Sequence, residues 1–370
     1  MNFFLKIFLI LAIPIFIFLI NIEKNNLEQE NKTVENLPIN EIEGIATTTS
    51  WIDRNGQETV TENKKLEEKA TTSKPITTKT PILVTLLPQE TVDFEAINTK
   101  VRTAVVNIFC LAKGNSLQPI TGSGVFIDPR GIILTNAHIG QYFLLDDFID
   151  CYIRTGNPAA IKYRAKLIYI SQKWIKENSK NIIVENPKGT GESDYAFLAI
   201  EKTIDNNPLP SQFPYLDMEI EKDIRKNDLV LIAGYPAGFL GGISIQNNLF
   251  VLSSIGTVTE VFTFSENSID LFSINGSLLA QKGSSGGAVV NKDTKIVGIV
   301  ATATQELETK ERELRTITTN HVDRSLFSEI SKNTPSFFSG DILEKIINFE
   351  LAYKKPLSEI LINEIKNKSR

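Results

Sequence analysis

The segment Lys282-Gly283-Ser284-Ser285-Gly286-Gly287-Ala288 sets a serine among glycines and small residues. A serine hydroxyl is a poor nucleophile unless a base takes its proton and hydrogen-bond donors hold the oxyanion that forms. Glycines around Ser285 let the backbone turn so that successive N–H groups aim at one point. A flexible Gly/Ser loop has the same composition, so the segment needs partners before it carries chemistry. The chain has two histidines, His138 and His321, and any imidazole chemistry uses one of them. His138 closes the apolar run of Leu134-Thr135-Asn136-Ala137-His138-Ile139 with small residues beside it, as when a strand delivers a base to a cleft. Alone, such a histidine reads as a core or surface residue. Asp194, in Glu192-Ser193-Asp194-Tyr195-Ala196, stands at the mouth of a further apolar run. A buried carboxylate there orients an imidazole and stabilises the imidazolium. The plain alternative is a turn or capping aspartate, and Asp146, Asp147 and Asp150 are rivals for the role.

Composition excludes other chemistries. The two cysteines, Cys110 and Cys151, form no C-x-x-C or Cys/His cluster, so no structural zinc site is expected. No metal and no cofactor is implied. A net charge of -5 gives no basic footprint for nucleic acid. Hydrophobic residues at 42% and charged residues at 22% suit a chain with a real core.

The elements that must position these residues are short strands. Between 93 and 330, runs at 104–112, 123–136, 150–154, 165–170, 195–200, 228–236, 254–264, 268–275 and 296–304 are rich in Val, Ile, Phe and Thr and are separated by turn residues. That spacing predicts a sandwich or barrel, with no long helical period inside the region. Asp128-Pro129-Arg130-Gly131 and Asn275-Gly276 read as hairpin turns. The ends differ. Ile7 to Ile20 is unbroken apolar sequence after a weakly basic start, with no small-x-small cleavage site following. Residues 1–22 are therefore expected to be an uncleaved signal anchor, the alternative being a cleaved signal peptide. Residues 23–92 are dominated by Asn, Glu, Lys and Thr and read as a disordered linker. Residues 93–335 are expected to form the globular domain. In residues 336–370, Ile342, Leu343, Ile346, Ile347 and Leu351, then Leu357, Ile360, Leu361 and Ile365, fall at helical spacing. They predict two amphipathic helices that pack on the barrel, or else meet a partner or a membrane surface.

His138, Asp194 and Ser285 occur in one of three known chain orders of a His/Asp/Ser triad. With TGSGVFIDPRGIILTNAHI, SDYAFLAIE, LVLIAGYPAG and GSSGGAVVNKDTKIVGIV, spread over residues 100 to 305, the chain resembles chymotrypsin/trypsin-like serine proteases, and most closely their bacterial HtrA-like branch. The resemblance implies an all-β fold of two six-stranded antiparallel barrels with a C-terminal helical tail, and an active site in the cleft between the barrels. It implies a serine endopeptidase acting on polypeptides through an acyl-enzyme, with the N–H groups of Gly283 and Ser285 as oxyanion hole. An inactive protease-like binding module on a membrane stalk, and an esterase using the same site, are the alternatives. Departures from the family pattern are also visible. No Ile-Val-Gly-Gly start precedes the first barrel, Ser284 and not Asp precedes the nucleophile, and no PDZ domain follows. Ala301 stands where a serine supports the triad aspartate, and residues 171 to 193 read as an insertion, a loop at the cleft rim.

Two further expectations rest on this resemblance, and a third on the apolar N-terminus. Cys110 falls in the first strand of the first barrel and Cys151 in the strand after His138, so the two form a disulfide or remain two buried thiols. Leu279 falls at the base of the primary specificity pocket, with Ala280, Thr302 and Ala303 lining it, which favours small and medium apolar side chains before the scissile bond. The domain is extracytoplasmic, tethered to the membrane by its N-terminal segment or else secreted, with its oligomeric state open.

Overall fold

The computed structural model describes residues 92–184, 189–238, 240–264, 267–275, 277–303 and 312–368, together with the two-residue strands Trp51–Ile52 and Glu58–Thr59, which pair antiparallel. The expected signal anchor and nearly all of the expected linker lie outside the described residues. The chain divides into two compact units, Met1–Val84 and Thr85–Arg370, and the second holds both barrels and the helical tail.

Twelve antiparallel strands close into two six-stranded barrels. The first is built from β1 (Val105–Ala112), β2 (Ile120–Asp128), β3 (Ile132–Thr135), β4 (Ile149–Thr155), β5 (Ala160–Ile170) and β6 (Ala196–Thr203), paired in the order β1-β2-β3-β6-β5-β4. The second uses β7 (Leu229–Gly234), β8 (Leu252–Phe262), β9 (Leu271–Asn275), β10 (Ala288–Val290), β11 (Ile296–Ala303) and β12 (Glu313–Thr318), in the order β7-β8-β9-β12-β11-β10. The two orders are the same. The fold expected from the sequence is therefore the fold observed.

The period-2 alternation of strand side chains sorts the apolar residues into three clusters. From β1, Val106, Ile108 and Cys110 fill the first barrel, while Val105 faces outward into a shared cluster. From β7, Val230 and Ile232 fill the second barrel, while Leu231 and Ala233 join the same shared cluster. Alternate residues of facing strands thus glue barrel to barrel, and the cleft between them is fixed by apolar packing. Asp128 to Gly131 turns β2 into β3 as expected, with the Gly131 N–H donating to the Asp128 carbonyl at 3.0 Å. Asn275 ends β9, but β9 pairs with β8 and β12 and not with the next strand, so no hairpin forms there. Cys110 and Cys151 stand directly opposite each other on β1 and β4 and are joined by a disulfide.

Two long helices lie between 93 and 330, where no long helical period was expected. Helix α1 (Phe94–Ala104) starts at Asp93, whose carboxylate accepts from the N–H groups of Glu95 and Ala96, and it buries Ile97, Val101 and Ala104 at helical spacing. Ala104, first residue of an apolar run in the sequence, thus ends the helix, and the strand begins at Val105. Residues 171 to 193 form no simple rim loop. They begin with helix α2 (Gln172–Asn178), capped by Ser171, whose Trp174 and Ile175 are buried. Helix α3 (Thr319–Ile330) is the second unexpected long helix. Its buried face is Thr319, Asn320, His321, Val322 and Leu326, mostly polar, so no hydrophobic period announces it.

The tail is helical as expected. Helices α4 (Ile342–Phe349) and α5 (Lys355–Lys368) are joined by a π-helical turn, Glu350–Lys354. The wider turn lets the helix run on past Pro356, which supplies no N–H to an α-helical ladder. Phe349, Leu357, Leu361 and Ile365 enter the apolar cluster of the first barrel beside Trp174, Ile175 and Ile182. The tail therefore packs on the barrel.

Candidate active site

His138 follows β3 directly, in the short helix Ala137–Gly140. Asp194 precedes β6, the neighbour of β3 in the barrel, and one strand pair therefore delivers both. The Asp194 side chain is 6% exposed, and both its oxygens serve His138. Oδ1 accepts from the His138 backbone N–H at 2.8 Å and Oδ2 from Nδ1 at 2.7 Å. A carboxylate only accepts, so the proton of the neutral ring sits on Nδ1 and Nε2 is left as an acceptor. Asn136 Nδ2 donates to the Asp194 carbonyl at 3.0 Å and fixes the same corner from below. The rival acids are engaged elsewhere. Asp146 pairs with Lys354 and Lys166, Asp150 pairs with Lys113 and Arg164, and Asp147 is exposed.

Ser285 comes from the loop before β10 of the second barrel. Its Oγ donates to the Ala301 carbonyl at 3.3 Å, so the hydroxyl is turned toward β11 and not toward His138. In unliganded sites of this kind such bonds are often loose and tighten with substrate. Two glycines are required around it. Gly283 has φ +94°, and a Cβ there would lie 2.6 Å from the Tyr235 carbonyl oxygen; Gly286 has φ +83°, and a Cβ there would lie 2.0 Å from the Ser123 carbonyl oxygen. The Lys282 carbonyl accepts from the Ala237 N–H at 2.7 Å. In a trans peptide the N–H points opposite the C=O, so the Gly283 N–H is aimed away from Ala237. Among the described residues neither the Gly283 nor the Ser285 N–H has a protein acceptor. With Ala301 in place of a supporting serine, the Asp194 carboxylate has only the two His138 bonds among the described residues.

Residues 122–299 match the family model described as a trypsin-like peptidase domain. That stretch is similar to a trypsin-like peptidase domain. Two curated relatives are each described as a probable periplasmic serine endoprotease, DegP-like. That of Rickettsia conorii is 29% identical over 178 residues, covering 48% of this chain and 27% of its own. That of Rickettsia prowazekii is 28% identical over 194 residues, covering 52% and 30%. The matched stretch thus spans less than a third of either relative's length. Among solved structures, the active form of the Rv3671c protease from M. tuberculosis aligns with a TM-score of 0.41 and 17% identity, covering 69% of this chain and 93% of that one.

The serine loop is held through a residue that sequence reasoning missed. Ser123, fully buried on β2 of the first barrel, donates its N–H to the Ser285 carbonyl at 2.7 Å and its Oγ–H to the Gly283 carbonyl at 2.7 Å. The same Oγ accepts from the Tyr235 N–H at 2.9 Å, and the Ser123 carbonyl accepts from Thr135 Oγ1 at 2.7 Å. Its place in the Gly122-Ser123-Gly124 run was the available signal. Of the expected pocket residues, Leu279 and Ala280 are each 1% exposed and belong to the apolar cluster of the second barrel with Val230, Ile232 and Phe272. Leu279 lies against Gly234, its Cδ2 being 3.5 Å from where a Cβ would stand. Thr302 is exposed, and the Ala303 side chain lies outside the described residues. Arg312 Nη1 donates to the Ala280 carbonyl at 3.3 Å.

Proposed function

We propose that the chain is a serine endopeptidase that cleaves polypeptides through an acyl-enzyme, with His138, Asp194 and Ser285 as its triad. The observation that carries the reading is the two-point grip of Asp194 on His138, which leaves Nε2 as the acceptor of the ring. In the reaction Ser285 Oγ leaves the Ala301 carbonyl and gives its proton to His138 Nε2 as it bonds to the scissile carbonyl carbon. The negative charge that moves onto the carbonyl oxygen is received by the N–H groups of Gly283 and Ser285. Asp194 stabilises the imidazolium without taking its proton. His138 then passes that proton to the leaving amine as the peptide C–N bond breaks. Water repeats the sequence, with His138 as base, to free the acyl group. Every proton is moved between Ser285, His138, the substrate and water, and the scheme calls on no cofactor.

The same reading extends to the compartment and the substrate. The disulfide favours an oxidising, extracytoplasmic setting, and the two rickettsial relatives are described as periplasmic. The apolar N-terminal run serves as the tether and the following polar stretch as the spacer. The pocket wall of Leu279, Ala280, Thr302 and Ala303 selects small or medium apolar side chains before the cut.

A fluorophosphonate probe on the full chain tests the central point. Ser285 is the expected site of labelling, and Ser285→Ala should abolish peptide turnover, by a factor on the order of 10⁴ or more, with the fold retained by circular dichroism. Near-normal turnover in S285A overturns the assignment. Labelling without peptide turnover, but with ester turnover, would make the site an esterase.

A further inference from the structure

The second histidine of the chain takes no part in the proposed reaction, yet it is 8% exposed and fully engaged. His321 lies in the first turn of α3. Its Nδ1 meets Asp270 Oδ1 at 3.0 Å, and its Nε2 stands 3.4 Å from the Ser193 backbone nitrogen. An N–H can only donate, so Nε2 is the unprotonated acceptor and Nδ1–H donates to Asp270. Asp270 is itself anchored on the second barrel. It accepts from the Phe264 N–H at 2.7 Å, Ser268 Oγ at 2.6 Å and Arg324 Nη2 at 2.7 Å. Ser193 is the residue before Asp194.

The turn that His321 grips is one that side-chain-bearing residues disfavour. Ser193 has φ +55°, in the left-handed region, so neighbouring groups must hold it there. Two of them come from one face of α3. His321 takes the Ser193 N–H, and Ser325 Oγ meets Ser193 Oγ at 3.2 Å. One turn further along the same face, Glu329 accepts from Ser171 Oγ at 2.6 Å and from the Gln172 N–H at 3.0 Å. Residues 321, 325 and 329 are spaced by four and share a helix face. Together they clamp both ends of the 171–193 excursion of the first barrel, and the downstream end runs directly into Asp194.

We propose that His321 is a positioning residue for the candidate triad, its Nε2 holding the Ser193–Asp194 turn so that Asp194 meets both the N–H and Nδ1 of His138. The inference rests on the triad reading of His138, Asp194 and Ser285. It assigns α3 a role beyond packing: the helix belongs to the nucleophile's side of the molecule but sets the aim of the carboxylate on the other side. The charged groups that face the imidazole are Asp270 from the approach to β9, Arg324 from α3 itself and Glu192 from the loop before Asp194; the Phe264 ring lies edge-on at 5.1 Å. Protonation of Nε2 would put a donor against the Ser193 donor and release the turn.

The test compares His321→Asn with His321→Gln in the full chain. The Asn amide reaches about as far as Nδ1 and keeps a contact with Asp270. The Gln amide reaches about as far as Nε2 and can still accept from Ser193. Neither titrates. With His321 replaced, His138 is the only histidine, so its Nδ1–H proton resonance, shifted downfield by Asp194, is the only imidazole signal left to observe. The expected result is that H321N moves or broadens this signal and lowers kcat for a peptide substrate on the order of 10–100-fold, with KM changed far less. H321Q should recover most of both. Identical behaviour of the two variants, or a His138 signal unmoved in H321N, overturns the proposal. If the unmodified chain neither turns over peptide nor takes the fluorophosphonate, the protease reading fails instead, and the His138 resonance still decides what His321 does.

Discussion

Ser123 of the first barrel donates its N–H to the carbonyl of Ser285 of the second at 2.7 Å. One residue thereby pins the candidate nucleophile from across the cleft, and its hydroxyl bridges the Gly283 carbonyl and the Tyr235 N–H. Ser123→Ala keeps the backbone bond but strands both of those buried backbone groups. The expected cost is about 1–3 kcal/mol of stability, read from denaturant unfolding. Because Gly283 is one of the two proposed oxyanion donors, the rate of Ser285 labelling by a fluorophosphonate should fall as well. A variant that loses stability but labels at the normal rate would confine Ser123 to a structural role.

The disulfide joins residues 41 apart in sequence, across adjacent strands of the first barrel. Closing a loop of that length restricts the unfolded chain and should stabilise the fold by roughly 2–4 kcal/mol. Cys110 is fully buried and Cys151 8% exposed, so reduction under native conditions should be slow and should follow opening of the barrel. Alkylation and intact mass count the thiols released. Unfolding curves with and without reductant should differ in unfolding free energy by the amount stated, and coincident curves would refute it.

Stability should fall on acidification in two stages, and the sign follows from two neighbours. Burial holds the His321 imidazole below its ordinary value, with the hydrogen bond and charge of Asp270 pulling the other way. The folded protein therefore resists a proton that the unfolded chain accepts, so this contribution is whole above about pH 6.5 and is lost as pH falls below it. Burial would raise Asp270, but hydrogen bonds from Ser268, the Phe264 N–H, Arg324 and His321 outweigh it and hold the carboxyl well below the usual carboxylate range. Its contribution is whole above about pH 4 and is lost below. Urea midpoints measured from pH 8 to pH 3 should show both steps. His321→Gln should remove the upper step and leave the lower one, and an unchanged upper step in H321Q would assign it elsewhere.

The candidate site was legible in the sequence because chemistry restricts it. Ser285 needs glycines that no other residue can replace at φ +94° and +83°, and His138 and Asp194 stand at the ends of apolar strands. Ser123 was marked only by its place between Gly122 and Gly124, since it acts through backbone groups and a single hydroxyl, for which many residue types leave the same trace. Helix α3 was hidden for a related reason. Its buried side chains are mostly polar and satisfied by specific partners, so the face it buries shows no apolar period. Strand β12, ELRTIT, is buried from Leu314 onward except at Arg315, but its charged residues obscure the run, and β10 is only three residues long. The repeated strand order of the two barrels has no counterpart as a sequence repeat, because alternation of small and branched apolar residues suffices for either barrel and many sequences provide it.

The division of the candidate triad between two barrels has a consequence for synthesis. Chain growth runs from the N-terminus, so His138 and Asp194 emerge together and can meet as soon as β6, ending at Thr203, seals the first barrel. Their partner Ser285 follows much later, and the barrel that carries it is sealed only by β12, which ends at Thr318. Helix α3, with His321, emerges after that. A partly made chain would hold the imidazole and the carboxylate with no α3 to aim the Ser193–Asp194 turn and no nucleophile to activate, and the proposed triad would be complete only when nearly the whole domain has been made.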